Sequence, residues 1–377
     1  MRTFTSIHSV IFPVLLFSLL LSSCGEFIGL YKEVRPETGA LVDFDVFLSG
    51  DELNILYDSV ISDRAALCQT KRDGSLRNGE INIRGYTSRL LPKKSFTVTY
   101  ANQEKIALDA GGNPWFEYDL AMYAYRLAGL QGVPEFQARA LFVNDSYLGY
   151  YNEVELYNKK LNALYNTEKG ELYKILLTDF GDDFPRDFPI YYRSEKKFPD
   201  NENFSLLSEL LNNTANMSSQ EWVEWVDENG DLENIARYMV VRDYFGIPDT
   251  DRLNFYIYFH EKFMILPWDS DRGYCDTEIG GNNTLNHRML ESEEFRRIYT
   301  EMMNNLFLVE GPLNILDKLL SYLDLRRELL DPSVPSEPGF FLEQGDYVNE
   351  YESIKDFFNT RGESILKSRA WKKINPL

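Results

Sequence analysis

The hydrophobic pattern is mostly strand-like before Glu202 and mostly helical after it, and that division limits the folds open to the chain. From Val42 to Tyr100 the pattern is strand-like. "EINIRGYTS" and, beyond Pro92, "KSFTVTY" carry apolar residues at every second position, with "YTSRLLP" as the connection between them. "FQARALFVND" and "YLGYYNEVEL" read as two strands around an Asn-Asp turn, and "ELYKILLT" as another. Between these blocks "YDLAMYAYRLAGL" has helical spacing and should end at Gly132, near Pro134. From Glu202 onward the apolar residues recur with helical spacing, in "NFSLLSELLNN", "SQEWVEWVDE", "LENIARYMVVRDYFG", "SEEFRRIYTEMMNNLFL" and "LNILDKLLSYLDLRRELL". One hairpin interrupts the helices: "NFYIYFH", a short turn, then "KFMILPWD". A β-rich first half and a helical second half predict an α+β protein of two lobes, 41–178 and 179–377, with a cleft between them.

The first residues are excluded from that fold. Arg2, an apolar stretch from Val10 to Leu21 and then Ser22-Ser23-Cys24 read as a secretory signal peptide over 1–23. The apolar stretch is shorter than the roughly 20 residues a bilayer span needs. Leu21-Ser22-Ser23-Cys24 resembles a bacterial lipobox, which implies cleavage before Cys24 and a lipid on its sulfur. The expected mature protein is tethered in the cell envelope, periplasmic or extracellular, by that lipid and a polar stalk, 24–40. Each buried acyl carbon contributes about 0.8 kcal/mol to such a tether.

The formal charge of the 377 residues is −20. That balance argues against nucleic acid and anionic membrane surfaces as partners. It does not exclude a phosphate ligand, because salt limits long-range repulsion to about 8 Å. The histidines are His8, His260 and His287, which excludes a multi-histidine zinc centre. No Gly-x-Ser-x-Gly elbow and no Walker loop occurs. "DENGDLE" at 227–233 has its glycine too early for a calcium loop and reads as a turn between helices. Beyond Cys24 the chain has Cys68 and Cys275, which an oxidising compartment could join or leave as buried thiols.

The chemistry concentrates in "FGIPDTDRLNFYIYFHEKFMILPWDSDRG", residues 245–273. Asp249 and Asn254 bracket the loop before the first strand of the hairpin, and Asp269 follows the second. In an antiparallel hairpin those positions share one end. Two carboxylates and an amide oxygen gathered there suit Mg²⁺, which takes few protein oxygens and keeps phosphate and water as its other ligands. Protein kinases use the same order: a loop Asp, an Asn five residues on, then a metal-binding Asp after two short strands. "LLTDFGDDF" also contains Asp179-Phe180-Gly181, the kinase spelling of the metal loop. It precedes Asp249, whereas in a kinase the metal Asp follows the catalytic loop, so it reads as a polar turn.

"INIRGYTSRLLPKKSF", "LFVNDSYLGYYNEVEL", "GELYK", "GIPDTDRLNFYIY" and "FMILPWDSD", in this order, resemble the blocks of the CotH kinase family, the spore coat protein H-like atypical protein kinases. The resemblance implies a two-lobed, protein-kinase-like fold, a β-rich N-lobe and a helical C-lobe with an inserted metal-binding hairpin. It further implies ATP and Mg²⁺ as cofactors, and transfer of phosphate to Ser or Thr of protein partners outside the cytoplasm. By matching blocks, Asp249 would orient or deprotonate the acceptor hydroxyl. Asn254 and Asp269 would bind the metal, with Asp271 a further candidate. Trp268 would wall the nucleotide pocket. Lys94, or Lys93, would reach the phosphates, positioned by Glu155, and Arg84 and Lys174 would add positive charge. A kinase-fold protein that has lost transfer activity and serves surface assembly or adhesion is the alternative. A glycosidase using Asp249 and Asp269 as paired acids has no supporting block.

Overall fold

The computed structural model describes residues 38–58, 64–85, 87–110, 115–176, 194–248, 250, 253–270, 273–338 and 344–375. The expected signal segment, Cys24, nearly all of the expected stalk, Asp179-Phe180-Gly181, Asp249 and Asp271 lie outside the described residues. The described residues have mixed α+β content and fall into two compact units. The first draws on 1–112, 137–154 and 329–343, the second on 113–136, 155–328 and 344–377.

The first unit is a closed barrel. Its strands are β1 (Val42–Phe47), β2 (Ala66–Arg72), β3 (Ser75–Arg84), β4 (Ser95–Tyr100), β5 (Lys105–Ala110), β6 (Phe136–Val143) and β7 (Ser146–Glu155), in the order β1-β2-β3-β4-β5-β7-β6. Antiparallel neighbours run from β1 to β5, and β1 closes the ring by pairing parallel to β6, Val42 opposite Arg139. The alternation seen in the sequence fills the inside: Phe44, Val46, Ile81, Ile83, Phe96, Val98, Ile106, Leu108, Leu141 and Tyr151 form one buried cluster. The strand-like run from Val42 is broken by helix α1 (Gly50–Asp58), which puts Leu56 into that cluster. The expected Asn-Asp turn joins β6 to β7. Asn144 and Asp145 both adopt left-handed backbone, φ 48° and 65°, as a two-residue hairpin turn demands. Asn144 also bonds both backbone groups of Leu48 through its side chain.

The second unit opens with α2 (Glu117–Leu127). This helix stops before the Gly132 expected from sequence. Gly129 takes φ 87°, and the amides of Gly129 and Leu130 turn back onto the carbonyls of Arg126 and Tyr125, a glycine-terminated cap. After α3 (Lys160–Leu164) come β8 (Glu171–Ile175) and β9 (Ser194–Phe198). Helices α4 (Ser205–Asn216), α5 (Ser219–Asn229) and α6 (Leu232–Phe245) follow, then the hairpin β10 (Phe255–Phe259) and β11 (Phe263–Pro267). The hairpin joins β8 and β9 in a four-stranded sheet ordered β11-β10-β8-β9. Helices α7 (Thr284–Met289), α8 (Glu293–Met303), α9 (Leu316–Leu330), α10 (Gln344–Lys367) and α11 (Arg369–Ile374) complete the described chain.

Ser218 and Glu221 start α5 with reciprocal capping bonds, and "DENGDLE" is the turn from α5 to α6, with Asp231 capping the latter. Cys68 and Cys275 are both free thiols, the first buried and the second exposed. Among the described residues no helix is long and apolar enough to cross a membrane.

Candidate functional site

The hairpin pairs Phe255 with Pro267, Tyr256 with Leu266 and so on to Phe259 with Phe263. Every residue of β11, the edge strand of the sheet, is buried, because α6 packs against it. Asn254 and Trp268 stand one residue beyond the last pair, and Asp269 one further, so the two oxygen-bearing side chains belong to the same end of the ribbon. Both leave the extended conformation abruptly: Asn254 has φ 62° and Asp269 φ 54°. Asn and Asp are the residues that tolerate this left-handed backbone at least cost. Two of them ending adjacent strands mark a place where the chain is bent to aim side chains rather than to continue a sheet.

Trp268 is only 3% exposed. Tyr118, Tyr157 and Tyr256 surround its indole, with ring centroids 6.3, 6.0 and 5.7 Å away. Lys174, opposite Tyr256 in the sheet, brings its ammonium to 5.9 Å from the indole centroid. The structure thus brings Lys174, Asn254, Trp268 and Asp269 together in one unit, at one end of one sheet.

Behind them the loop after α6 is tied to the segment after β11. Gly246 ends α6 in left-handed conformation, φ 60°. The amide of Tyr274 bonds the carbonyl of Phe245. Arg242 Nε donates to Thr250 Oγ1 at 3.0 Å, and that hydroxyl donates to the Ile247 carbonyl at 2.9 Å. Asp243, fully buried, accepts from Arg242, from the Gly280 amide at 3.0 Å and from the Tyr299 hydroxyl at 2.8 Å. Arg361 reaches in from α10 to donate to the carbonyls of Tyr244, Asp243 and Thr277. Burial holds the Arg361 guanidinium below its ordinary range, against the pull of Asp276 and Asp243. None of these supporting residues was singled out from sequence. Arg242-Asp243 within the otherwise apolar stretch Tyr238–Phe245 was the available signal, since buried charges persist only when paired.

The other described candidates are Glu155, Arg84, Lys93 and Lys94. Glu155 belongs to the second unit and is an exposed residue bonded to Lys160 and, at 3.2 Å, to Asn158. Expected to position Lys94, it has Lys160 as its ionic partner. Arg84, Lys93 and Lys94 belong to the first unit. Arg84 ends β3, half-buried, opposite Ser95. The ammonium of Lys94 donates to the carbonyls of Arg89 and Leu91, at 2.7 and 2.6 Å, and so closes the short 3-10 turn Thr87–Leu90. Lys93 is buried against the carboxylate of Glu337 and the Tyr150 carbonyl. Burial lowers its basicity, and Glu337 opposes that shift.

The donors at the hairpin end are hard oxygens, one carboxylate and one amide, of the kind that suits Mg²⁺ and not zinc. Among the described residues no group of three His, Cys, Asp or Glu could hold a metal by itself. Bound phosphate and water supply ligands in such sites, and two protein oxygens fit that division.

Residues 81–365 match the family described as CotH kinase protein. No curated protein matches the chain. Among solved structures, the crystal structure of the Golgi casein kinase is similar at 12% sequence identity and a TM-score of 0.27, covering 86% of this chain and 79% of that one. A similarity that loose carries no argument about this protein.

Proposed function

Because the chain belongs to the CotH kinase family, we propose that it is an exported, lipid-anchored protein kinase that transfers the γ-phosphate of ATP to Ser or Thr of envelope proteins. The observation that supports this reading most is the pair Asn254 and Asp269, both bent into left-handed backbone at one end of the β10–β11 hairpin beside Trp268 and Lys174. Bound there, Mg²⁺ would neutralise charge on the β- and γ-phosphates. Asn254 and Asp269 would hold it through their side-chain oxygens, with Asp271 as a further ligand. The indole of Trp268 would wall the nucleotide, and the ammonium of Lys174 would add positive charge beside it.

In the transfer itself the acceptor hydroxyl oxygen bonds to the γ-phosphorus while the bond from that phosphorus to the β–γ bridging oxygen breaks. The hydroxyl proton passes to a loop carboxylate, and ADP leaves. Asp249 is the proposed acceptor of that proton. Thr250 is pinned into the body of the unit by Arg242 and the Ile247 carbonyl, so the acids on either side of it in sequence, Asp249 and Asp251, are both to be substituted. Catalysis of this type is positioning plus electrostatics, with no covalent enzyme intermediate.

The test is transfer of labelled phosphate from ATP to envelope extract, with Asp269→Asn as the control. Asn accepts the left-handed backbone, so the substitution removes charge without adding strain. The expected loss is at least about a thousandfold, or roughly 4 kcal/mol of transition-state stabilisation. A Mg-ATP thermal shift without any transfer would favour the alternative, a nucleotide-binding assembly or adhesion protein of kinase fold. An active protein indifferent to Asp269→Asn would refute the metal assignment. Lys94→Ala and Arg84→Ala test the phosphate roles proposed for those residues, through the apparent affinity for ATP.

A further inference from the structure

Two buried tyrosines grip the peptide groups on either side of Trp268. The hydroxyl of Tyr157 donates to the carbonyl of Pro267 at 3.0 Å. The hydroxyl of Tyr118 accepts the backbone N–H of Asp269 at 3.1 Å. The two side chains come from different parts of the second unit, α2 and the segment after β7, and are 6% and 8% exposed. Each ring is also fixed by packing. Tyr118 lies edge-on to Phe136 at 4.5 Å, and Tyr157 lies against Tyr256 at 5.0 Å.

The position of these bonds is what gives them consequence. Pro267 is the last residue paired in β11, and Asp269 is the residue at φ 54°. Between them the chain leaves the sheet and takes up left-handed backbone at Asp269. A backbone amide turned out of a strand has lost its ladder partner, and if buried it needs another. Tyr118 supplies one at the residue that carries the bend. The aromatic cage of Trp268 includes both tyrosine rings, so the same two side chains contact the proposed nucleotide wall and the backbone beside the proposed metal carboxylate.

We infer that Tyr118, assisted by Tyr157, is a positioning residue that holds Asp269 in its bent backbone conformation and so sets the affinity of the site for a divalent cation. This inference rests on the proposed kinase reading and adds to it a residue that no spacing in the sequence pointed to. Tyr118 touches no reacting atom; it acts through Asp269. The predicted effect therefore falls on metal dependence and not on recognition of the nucleotide base.

The experiment compares the parent with Tyr118→Phe, which keeps the ring and deletes the acceptor. Thermal shift is measured with ATP alone, with ATP at increasing Mg²⁺, and with Mn²⁺ alone. The expected result is a metal concentration for half-maximal shift about fivefold higher in Tyr118→Phe, the scale of one lost hydrogen bond. The response to metal-free ATP should stay at the parental level. Tyr157→Phe, which leaves Tyr118 in place, should change metal dependence in the same direction by a smaller factor, and it carries the test if Tyr118→Phe does not fold. If the parent responds to metal and neither variant alters that response, the inference is overturned while the kinase reading stands. A fall in melting temperature with unchanged metal dependence would likewise overturn it, by reducing the hydroxyls to structural bonds. If the parent itself shows no metal-dependent shift, the kinase reading fails, and the inference falls with it.

Discussion

Gly246 packs directly beneath the carbonyl of Cys275: a Cβ at that position would overlap the oxygen and come within 2.9 Å of the carbonyl carbon. Two separate demands meet at this glycine. It ends α6 in left-handed backbone, and it lets the loop before β10 lie against the loop after β11. Both loops carry the residues proposed to act on phosphate, so their spacing is set by the smallest side chain available.

Gly246→Ala is therefore expected to be strongly destabilising. The left-handed backbone alone costs an alanine about 1 kcal/mol. The neighbour it meets is backbone, which cannot rotate away as a side chain could, so the total should reach at least about 2 kcal/mol. Urea unfolding followed by tryptophan fluorescence would measure it. Gly311→Ala is the control, since a Cβ there meets nothing within 4 Å, and its midpoint should stay near that of the parent.

How much of this was legible in the sequence depends on the distance over which each feature is specified. The hairpin was legible because period and turn are local: alternation in "NFYIYFH" and "KFMILPWD" fixes the strands, and antiparallel pairing then forces Asn254 and Asp269 to one end. The Asn144-Asp145 turn was legible for the same reason. Helix α1 was not, because "DELNILYD" is short and lies in strand-like surroundings. Tyr118 lies 151 residues from the amide it bonds, and Glu337 lies 244 residues from Lys93. Nothing in local spacing encodes such pairs. Glu155 sits in a matching block, and its carboxylate pairs with a neighbour five residues on, Lys160.

The tip of the same hairpin carries a pH-dependent contact. Asp231 caps α6, accepting from the amide and side chain of Asn234 at 3.3 and 2.6 Å. His260 Nε2 stands 3.3 Å from its carboxylate. Burial pushes the Asp231 carboxyl up, but His260 and Asn234 together outweigh it and hold the group below its ordinary value of 3.8. A carboxyl lowered on folding contributes stability that is complete above its unfolded pKa and fades as pH falls through the folded one. Asp231→Asn should thus cost most near neutrality, and the gap between variant and parent should close below about pH 3.8. Urea midpoints taken from pH 3 to pH 7 would show it. A gap that widens toward acid would mean the carboxylate is not the stabilising form.

The last prediction concerns the barrel. The side chains of Lys93 and Glu337 are both buried, and they meet although their segments are far apart in sequence. Glu337 is held by two donors. Its second oxygen accepts the Tyr150 amide at 2.8 Å, Lys93 donates to the first and to the Tyr150 carbonyl, and Gly149 has no side chain to obstruct the carboxylate. The carboxylate therefore stitches the segment 329–338 to β7 and to the start of β4. A buried pair returns little net stability when complete, because desolvation consumes most of the attraction, but leaving one charge alone is expensive. Glu337→Leu should accordingly destabilise by about 3 kcal/mol, since it strands the Lys93 ammonium, and Lys93→Met should do the same to the carboxylate. Combining them should cost clearly less than the two single effects added together, since no unpaired charge remains. A double-mutant cycle by chemical denaturation decides it. Strict additivity would show that the two groups do not interact, and that the segment is held to the barrel by its packing alone.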